Sequence, residues 1–275
     1  MSETALQAYV QRGHKAVGGW LDPSAIDIIA TVSRQQTKVG VNGGIAEIGI
    51  HHGRLFILLH LLRRGNESSA AYDLFEMQDE NVDASGKGDK EIFLDNLRRH
   101  GGGAEGVVVK SRNSLAMTPA EVRADAGPVR LFSVDGGHTA DITASDLALA
   151  EASLCPGGLV ILDDYFNESW PGVSEGASRY LSSGASKLVP VAIGGNKFML
   201  TNSGELAASY REALRTLPDS HVVTDQIVFG MPVVVVRANV VTVKDRLANT
   251  GLWRQIKGTA AGRALKSAAL RVLSP

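Results

Sequence analysis

Residues 45–62 read I-A-E-I-G-I-H-H-G-R-L-F-I-L-L-H-L-L, a short apolar strand that breaks through two glycines into a strongly hydrophobic helix. Glu47, Gly49 and Gly53 form an E-x-G-x-x-x-G pattern at this junction. Glycine lets the chain turn sharply and lets a ligand approach without a Cβ in the way, while the helix N-terminus aims free N–H groups at the same spot. A nucleotide-like cofactor site follows from that chemistry, and an ordinary tight βα turn is the alternative. The pattern is not the G-x-G-x-x-G of dinucleotide enzymes, whose glycines accommodate a pyrophosphate.

Working outward, strands and helices alternate. Asp22-Pro23-Ser24 opens a helix through about Gln35, with Asp22 as N-cap and Pro23 in the first turn. Strands are predicted over 70–75, 106–110, 129–134 and 158–162, with Thr118-x-x-Glu121 as a capping box and a helix over 142–154. Such alternation favours a doubly wound, mostly parallel α/β sheet of Rossmann-like type. Segments 187–193 and 197–201 flank Gly194-Gly195-Asn196, which is hairpin chemistry and predicts an antiparallel closing pair. After a helix over 205–217, segments 221–229 and 231–237 around Gly230 suggest a further strand pair.

The 275 residues are 44% hydrophobic and 21% charged, enough for one large domain with a substantial core. We divide the chain into a helical N-terminal extension (1–40), a central domain (41–240) and a basic helical tail (241–275). A net charge of −1 gives no global pull toward nucleic acid or an anionic membrane. No apolar run reaches membrane-spanning length and the N-terminus lacks signal architecture, so a cytoplasmic location is expected. The lone Cys155 excludes an internal disulfide and any cysteine-rich metal site.

In open parallel sheets the ligand lies beyond the carboxyl ends of the strands, and here those ends are acidic. Asp73 follows the second strand, where a carboxylate can accept both hydroxyls of a ribose or simply cap a loop. Asp135 and the Asp163-Asp164 pair end two adjacent predicted strands. Three like charges at one rim repel unless a cation or proton offsets them, and a hard ion such as Mg²⁺ prefers oxygen ligands. A metal site is the sharper expectation, and solvated loop caps are the plain one.

With these elements in order, the chain resembles the class I S-adenosylmethionine-dependent methyltransferases, and more closely the metal-dependent sugar O-methyltransferases of the macrocin type. The resemblance spans about residues 44–201 and rests on A-E-I-G-I-H-H-G at 46–53, Y-D-L-F-E at 72–76, V-D-G-G-H at 134–138 and G-G-L-V-I-L-D-D-Y at 157–165. It implies that Glu47, Gly49 and Gly53 shape the methionine end of an S-adenosylmethionine site. Asp73 would bind the ribose, and Ser111 and Ser114 would line the adenine side. Asp135, Asp163 and Asp164 match the family's ligands for Mg²⁺ or another divalent cation.

One departure stands out. The family places an acidic general base two positions after its first metal ligand, where this chain has Gly137. Neighbouring His138 either takes over as base or bonds a nearby loop. His51 and His52 are expected to shape the cofactor loop or touch substrate, since histidine beside carboxylates would favour ions softer than Mg²⁺. The implied reaction is methyl transfer to a hydroxyl of a small-molecule acceptor, a sugar or glycosylated natural product. Asn167, Trp170 and Glu175 are candidates for the acceptor rim. The alternatives are a hydroxylase-like or nicotinamide oxidoreductase on a similar sheet, and a non-catalytic cofactor-binding scaffold. In the tail, Lys244, Arg246, Arg254, Lys257, Arg263, Lys266 and Arg271 face only Asp245. An alanine-thinned apolar stripe there suits packing on the domain or on a second subunit in a homo-oligomer, and not stable membrane insertion.

Overall fold

The computed structural model describes residues 3–239, and the expected basic tail lies outside them. Its strands are β1 (Gly44–Ile48), β2 (Ser69–Asp73), β3 (Val107–Ser111), β4 (Val129–Val134), β5 (Leu154–Leu162), β6 (Val189–Gly194), β7 (Lys197–Thr201), β8 (His221–Val228) and β9 (Met231–Ala238). Its helices are α1 (Glu3–Ala8), α2 (His14–Ala16), α3 (Pro23–Lys38), α4 (Arg54–Leu61), α5 (Lys90–His100), α6 (Pro119–Ala126), α7 (Ala140–Ser153), α8 (Pro171–Ser182) and α9 (Gly204–Arg215). The strands form one sheet in the order β3-β2-β1-β4-β5-β7-β6-β9-β8. β1 to β5 are mutually parallel, and β7 inserts antiparallel between β5 and β6. This is the expected Rossmann-like sheet with its antiparallel pair.

The apolar strands are buried on both faces, with successive side chains serving opposite cores. Ile45, Leu131, Leu159 and Ile161 join Ile29, Leu58, Phe93 and Tyr210 from α3, α4, α5 and α9. Ala46, Phe132 and Val160 join Val122, Leu147 and Val173 from α6, α7 and α8. Asp22 caps α3 by accepting from the Ser24 N–H at 2.7 Å, and Thr118 and Glu121 complete the capping box of α6. Beneath the sheet, the fully buried Arg130 donates to both Glu67 oxygens at 2.9 and 3.0 Å, to Ser33, to Gln36 and to the Leu62 carbonyl.

The β6–β7 hairpin turns on Gly195 and Asn196, with φ of 58° and 65°. Two positive φ values give the mirror-image turn whose twist matches paired strands, which glycine and asparagine tolerate. β5 begins at Leu154, earlier than the predicted 158, because Leu154 pairs with Val129 ahead of a register irregularity. The β6–β7 pair is antiparallel as expected but does not close the sheet, because β9 pairs parallel to β6 and carries β8 to the edge. Helix α8 has no counterpart in the sequence reading: Pro171 occupies its first turn, and its glycines and serines mask the helical pattern.

Candidate active site

One cleft of about 900 Å³ opens above the carboxyl ends of β1, β2, β4 and β5, lined by Glu47, Gly49, Asp73, Ser114, Asp135, His138, Asp163 and Asp164 among others. The glycine loop is its floor. Gly49 has φ of 82°, and a Cβ there would fall 1.7 Å from the Asp135 carbonyl oxygen, so the loop after β1 can pass β4 only as glycine. Gly53 caps α4 in the left-handed region.

Asp73 secures this loop. Its Oδ2 accepts from the N–H groups of Ile50 and His51 at 2.7 and 2.8 Å, and its Oδ1 from Phe75 N–H at 2.8 Å. Burial raises its pKa, and these three donors oppose the rise. A carboxylate offers about four acceptor positions, so capacity remains on Oδ1. Glu47 is buried with Oε2 lacking a hydrogen-bond partner, and burial with nearby Asp135 holds its pKa well above the usual range. Ser114 lines the cleft, whereas Ser111 turns away and donates to Glu76 at 2.9 Å.

The carboxylates at β4 and β5 separate into two arrangements. Asp135, Asp164 and His138 come together, each offering one ligand atom within 4.8 Å of the others. His138 Nε2 lies 3.3 Å from Asp164 Oδ2 and 3.8 Å from Asp135 Oδ1. Asp164 adopts a left-handed φ of 56°, and its Oδ1 accepts from the Asn167 amide at 3.0 Å and from Asn196. Asp163 does not join them. Its carboxylate contacts the Lys197 ammonium, which is buried on β7, and accepts the Asp164 N–H at 2.8 Å. Burial pushes Asp163 up to about 6 despite Lys197. Lys197 is itself held above its ordinary value, because Asp163, Asp135 and Glu47 overcome its burial.

His138 is engaged on every side. Asp83, from the loop after β2, accepts both its backbone N–H at 2.8 Å and its Nδ1 proton at 2.7 Å. Its ring stacks on Trp170 with centroids 4.3 Å apart. Burial works against a charged ring, yet Asp135, Asp164 and Asp83 together push its pKa up to about 10. Protonated, His138 is a counter-cation to Asp135 and Asp164; neutral, its Nε2 is free to accept a proton or to bind a metal. The donor set fits a divalent cation: two carboxylates and one imidazole converge, and Asp83 fixes the imidazole from behind.

His51 lines the cleft with φ of 52° and its ring against His52, apart from the carboxylate cluster. The segment Gly18 to Pro23 forms part of the wall. Arg54 holds that segment by donating to the carbonyls of His14 at 2.6 Å and of Gly19. Of the expected rim residues, Asn167 and Trp170 line the cleft, while Glu175 pairs with Arg179 on the exposed face of α8. Asp83, Lys197 and Trp20 are cleft residues that sequence reading passed over. Asp83 sits in an undifferentiated polar stretch, and Lys197 begins a strand at a position indistinguishable from an exposed one.

Residues 46–165 match the family model described as a methyltransferase domain. No curated protein matches the chain in sequence. Among solved structures, the O-methyltransferase NovP superposes with a TM-score of 0.55 at 16% identity, over 66% of this chain and 80% of that one. The O-methyltransferase from Bacillus cereus in complex with SAH gives 0.49 at 15% identity, over 73% and 91%. TomG from Streptomyces achromogenes gives 0.48 at 17% identity, over 73% and 90%. At these identities the likeness is one of fold, and the NovP superposition carries it. The sheet order and the glycine loop agree with the family match, so over residues 46–165 the chain is similar to a methyltransferase domain, and its fold is that of the O-methyltransferase NovP.

Proposed function

We propose that the protein is an S-adenosylmethionine-dependent O-methyltransferase acting on a hydroxyl of a small-molecule acceptor, a sugar or glycosylated natural product. The observation that carries this reading is the single cleft joining the glycine loop to the Asp135, His138 and Asp164 cluster. It sets a cofactor floor beside a group that can bind and acidify a hydroxyl. The floor is acidic, which suits a sulfonium and an ammonium. Glu47, with its unpartnered Oε2, would receive the methionine ammonium, and the free capacity of Asp73 Oδ1 a ribose hydroxyl. Gly49 would give the cofactor its close approach and Ser114 would line the adenine side, whereas Gly53 is buried against the Phe93 ring and shapes the loop from behind the cleft.

Asp135, His138 and Asp164 would hold a divalent cation, which when bound lowers the pKa of an acceptor hydroxyl and fixes its orientation. Asp163 stays with Lys197, so the pair neutralises itself beneath the reacting centre. Trp170 supplies a flat wall at the acceptor side. The absence of G-x-G-x-x-G argues against a nicotinamide enzyme. The test is incubation of purified protein with methyl-labelled S-adenosylmethionine and a panel of glycosides and catechols, read by mass spectrometry. A gain of one methyl group on oxygen is expected. Tight binding of NAD with no binding of S-adenosylhomocysteine would defeat the proposal.

A further inference from the structure

We propose that the cation of this cleft takes a nitrogen ligand, His138 Nε2, held in place by Asp83, and is a borderline transition ion such as Fe²⁺, Co²⁺ or Zn²⁺, not Mg²⁺. The inference rests on the reading that the cleft binds a divalent cation, and it adds which cation and which residue decides.

The geometry of three side chains carries it. Asp83 Oδ2 accepts from His138 twice, from the backbone N–H and from Nδ1, at 2.8 and 2.7 Å. Asp83 is itself fixed, since its Oδ1 accepts from the Ser85 hydroxyl at 2.6 Å and from the Ser85 N–H at 3.0 Å. A proton placed on Nδ1 leaves the Nε2 lone pair as the free donor of a neutral ring. That nitrogen is the one turned to Asp164 Oδ2 and Asp135 Oδ1. Trp170 stacked on the ring, at 4.3 Å between centroids, opposes its rotation away.

The oxygen that would make the site purely carboxylate is taken. Asp163 is occupied by the Lys197 ammonium, and Asp164 Oδ1 by the amides of Asn167 and Asn196, which leaves Asp164 Oδ2 and Asp135 as the acidic donors. Mg²⁺ is bound by oxygen ligands and keeps its waters, whereas imidazole suits Zn²⁺ and its transition-metal neighbours. A carboxylate behind a ligating histidine is the arrangement that orients such a ligand and raises its basicity. Asp83 is therefore a positioning residue, acting through His138 from a loop about fifty residues earlier in the chain.

The experiment uses the full chain saturated with S-adenosylhomocysteine, titrated with Co²⁺ and with Mg²⁺. Electron spin-echo spectroscopy of bound Mn²⁺ reports any coupled nitrogen. Wild type is expected to bind Co²⁺ at least a hundredfold tighter than Mg²⁺ and to show imidazole nitrogen coupling, which His138→Asp should abolish. Asp83→Asn should weaken Co²⁺ binding about 10–100-fold and Asp83→Glu less, with affinity for S-adenosylhomocysteine unchanged in both as a check on folding. Unaltered Co²⁺ affinity in Asp83→Asn, or bound Mn²⁺ without nitrogen coupling, overturns the proposal. So does failure of wild type to bind Co²⁺ at millimolar concentration. Methyl transfer persisting in that case would show that the methyltransferase reading stands while the cation reading falls.

Discussion

The ammonium of Lys197, at the start of β7, is buried against the carboxylate of Asp163, at the end of the parallel half of the sheet. The contact couples the antiparallel insertion to the parallel strands just below the cleft. It also answers the crowding of acids at this rim, because the chain supplies its own cations, Lys197 for Asp163 and His138 for Asp135 and Asp164. Removing one partner of a buried pair leaves an uncompensated charge, at a cost of about 3–5 kcal/mol. Lys197→Met should therefore lower stability by that order, and adding Asp163→Asn should recover much of it. Denaturant unfolding of the two single variants and the double variant measures the coupling. Additive losses would show that the two side chains do not act as a pair.

Asp73 is expected to act on cofactor binding in two ways, by securing the Ile50 and His51 N–H groups and by meeting the ribose. Charge-assisted hydrogen bonds are worth about 1.5–3 kcal/mol, so Asp73→Ala should weaken S-adenosylmethionine binding by roughly one to two orders of magnitude. Calorimetry with wild type and variant checks this. Equal affinities would remove Asp73 from the cofactor site.

Turnover should depend on a divalent cation held by Asp135 and Asp164. Exhaustive chelation should abolish methyl transfer, and added cation should restore it. Asp135→Ala and Asp164→Ala should lose at least about a hundredfold in kcat, about 2.7 kcal/mol of barrier, while retaining S-adenosylhomocysteine in calorimetry. Full activity in the chelated enzyme would leave the carboxylates an electrostatic role only.

Asp146 on α7 is buried, and neither of its oxygens has a hydrogen-bond partner. Burial pushes its pKa up to about 7, opposed only by the Ser114 side chain. The folded state then binds more protons than the unfolded state between the ordinary carboxylate value of 3.8 and about 7, so this group makes stability fall as pH rises through that window. Asp146→Asn should be stabilising at pH 8, by on the order of a few kcal/mol, and nearly neutral at pH 4. Urea unfolding at both pH values reads the difference. A gain of equal size at both would mean that ionisation is not the cause.

Sequence by itself determined the parallel half of the molecule. An apolar run such as Leu159–Leu162 of β5 must be buried on both faces, which requires helices on either side, and glycine at position 49 is needed where the chain turns against β4. The caps at Asp22 and Thr118 and the turn at Gly195-Asn196 were equally legible, because each depends on residues within a few positions of one another. Tertiary structure alone decided what depends on distant residues. The place of β7 between β5 and β6 follows from strand pairing that no local pattern records. Which carboxylates converge was decided by Lys197, whose buried ammonium draws Asp163 out of the cluster that Asp135 and Asp164 form with His138. Asp83 reads as one polar residue in a polar loop, and only the folded chain, bringing it to His138 across 55 positions, gives the carboxylate a task. Local sequence fixes backbone conformation and burial, while charge pairing is settled by whichever groups the fold brings within hydrogen-bond reach.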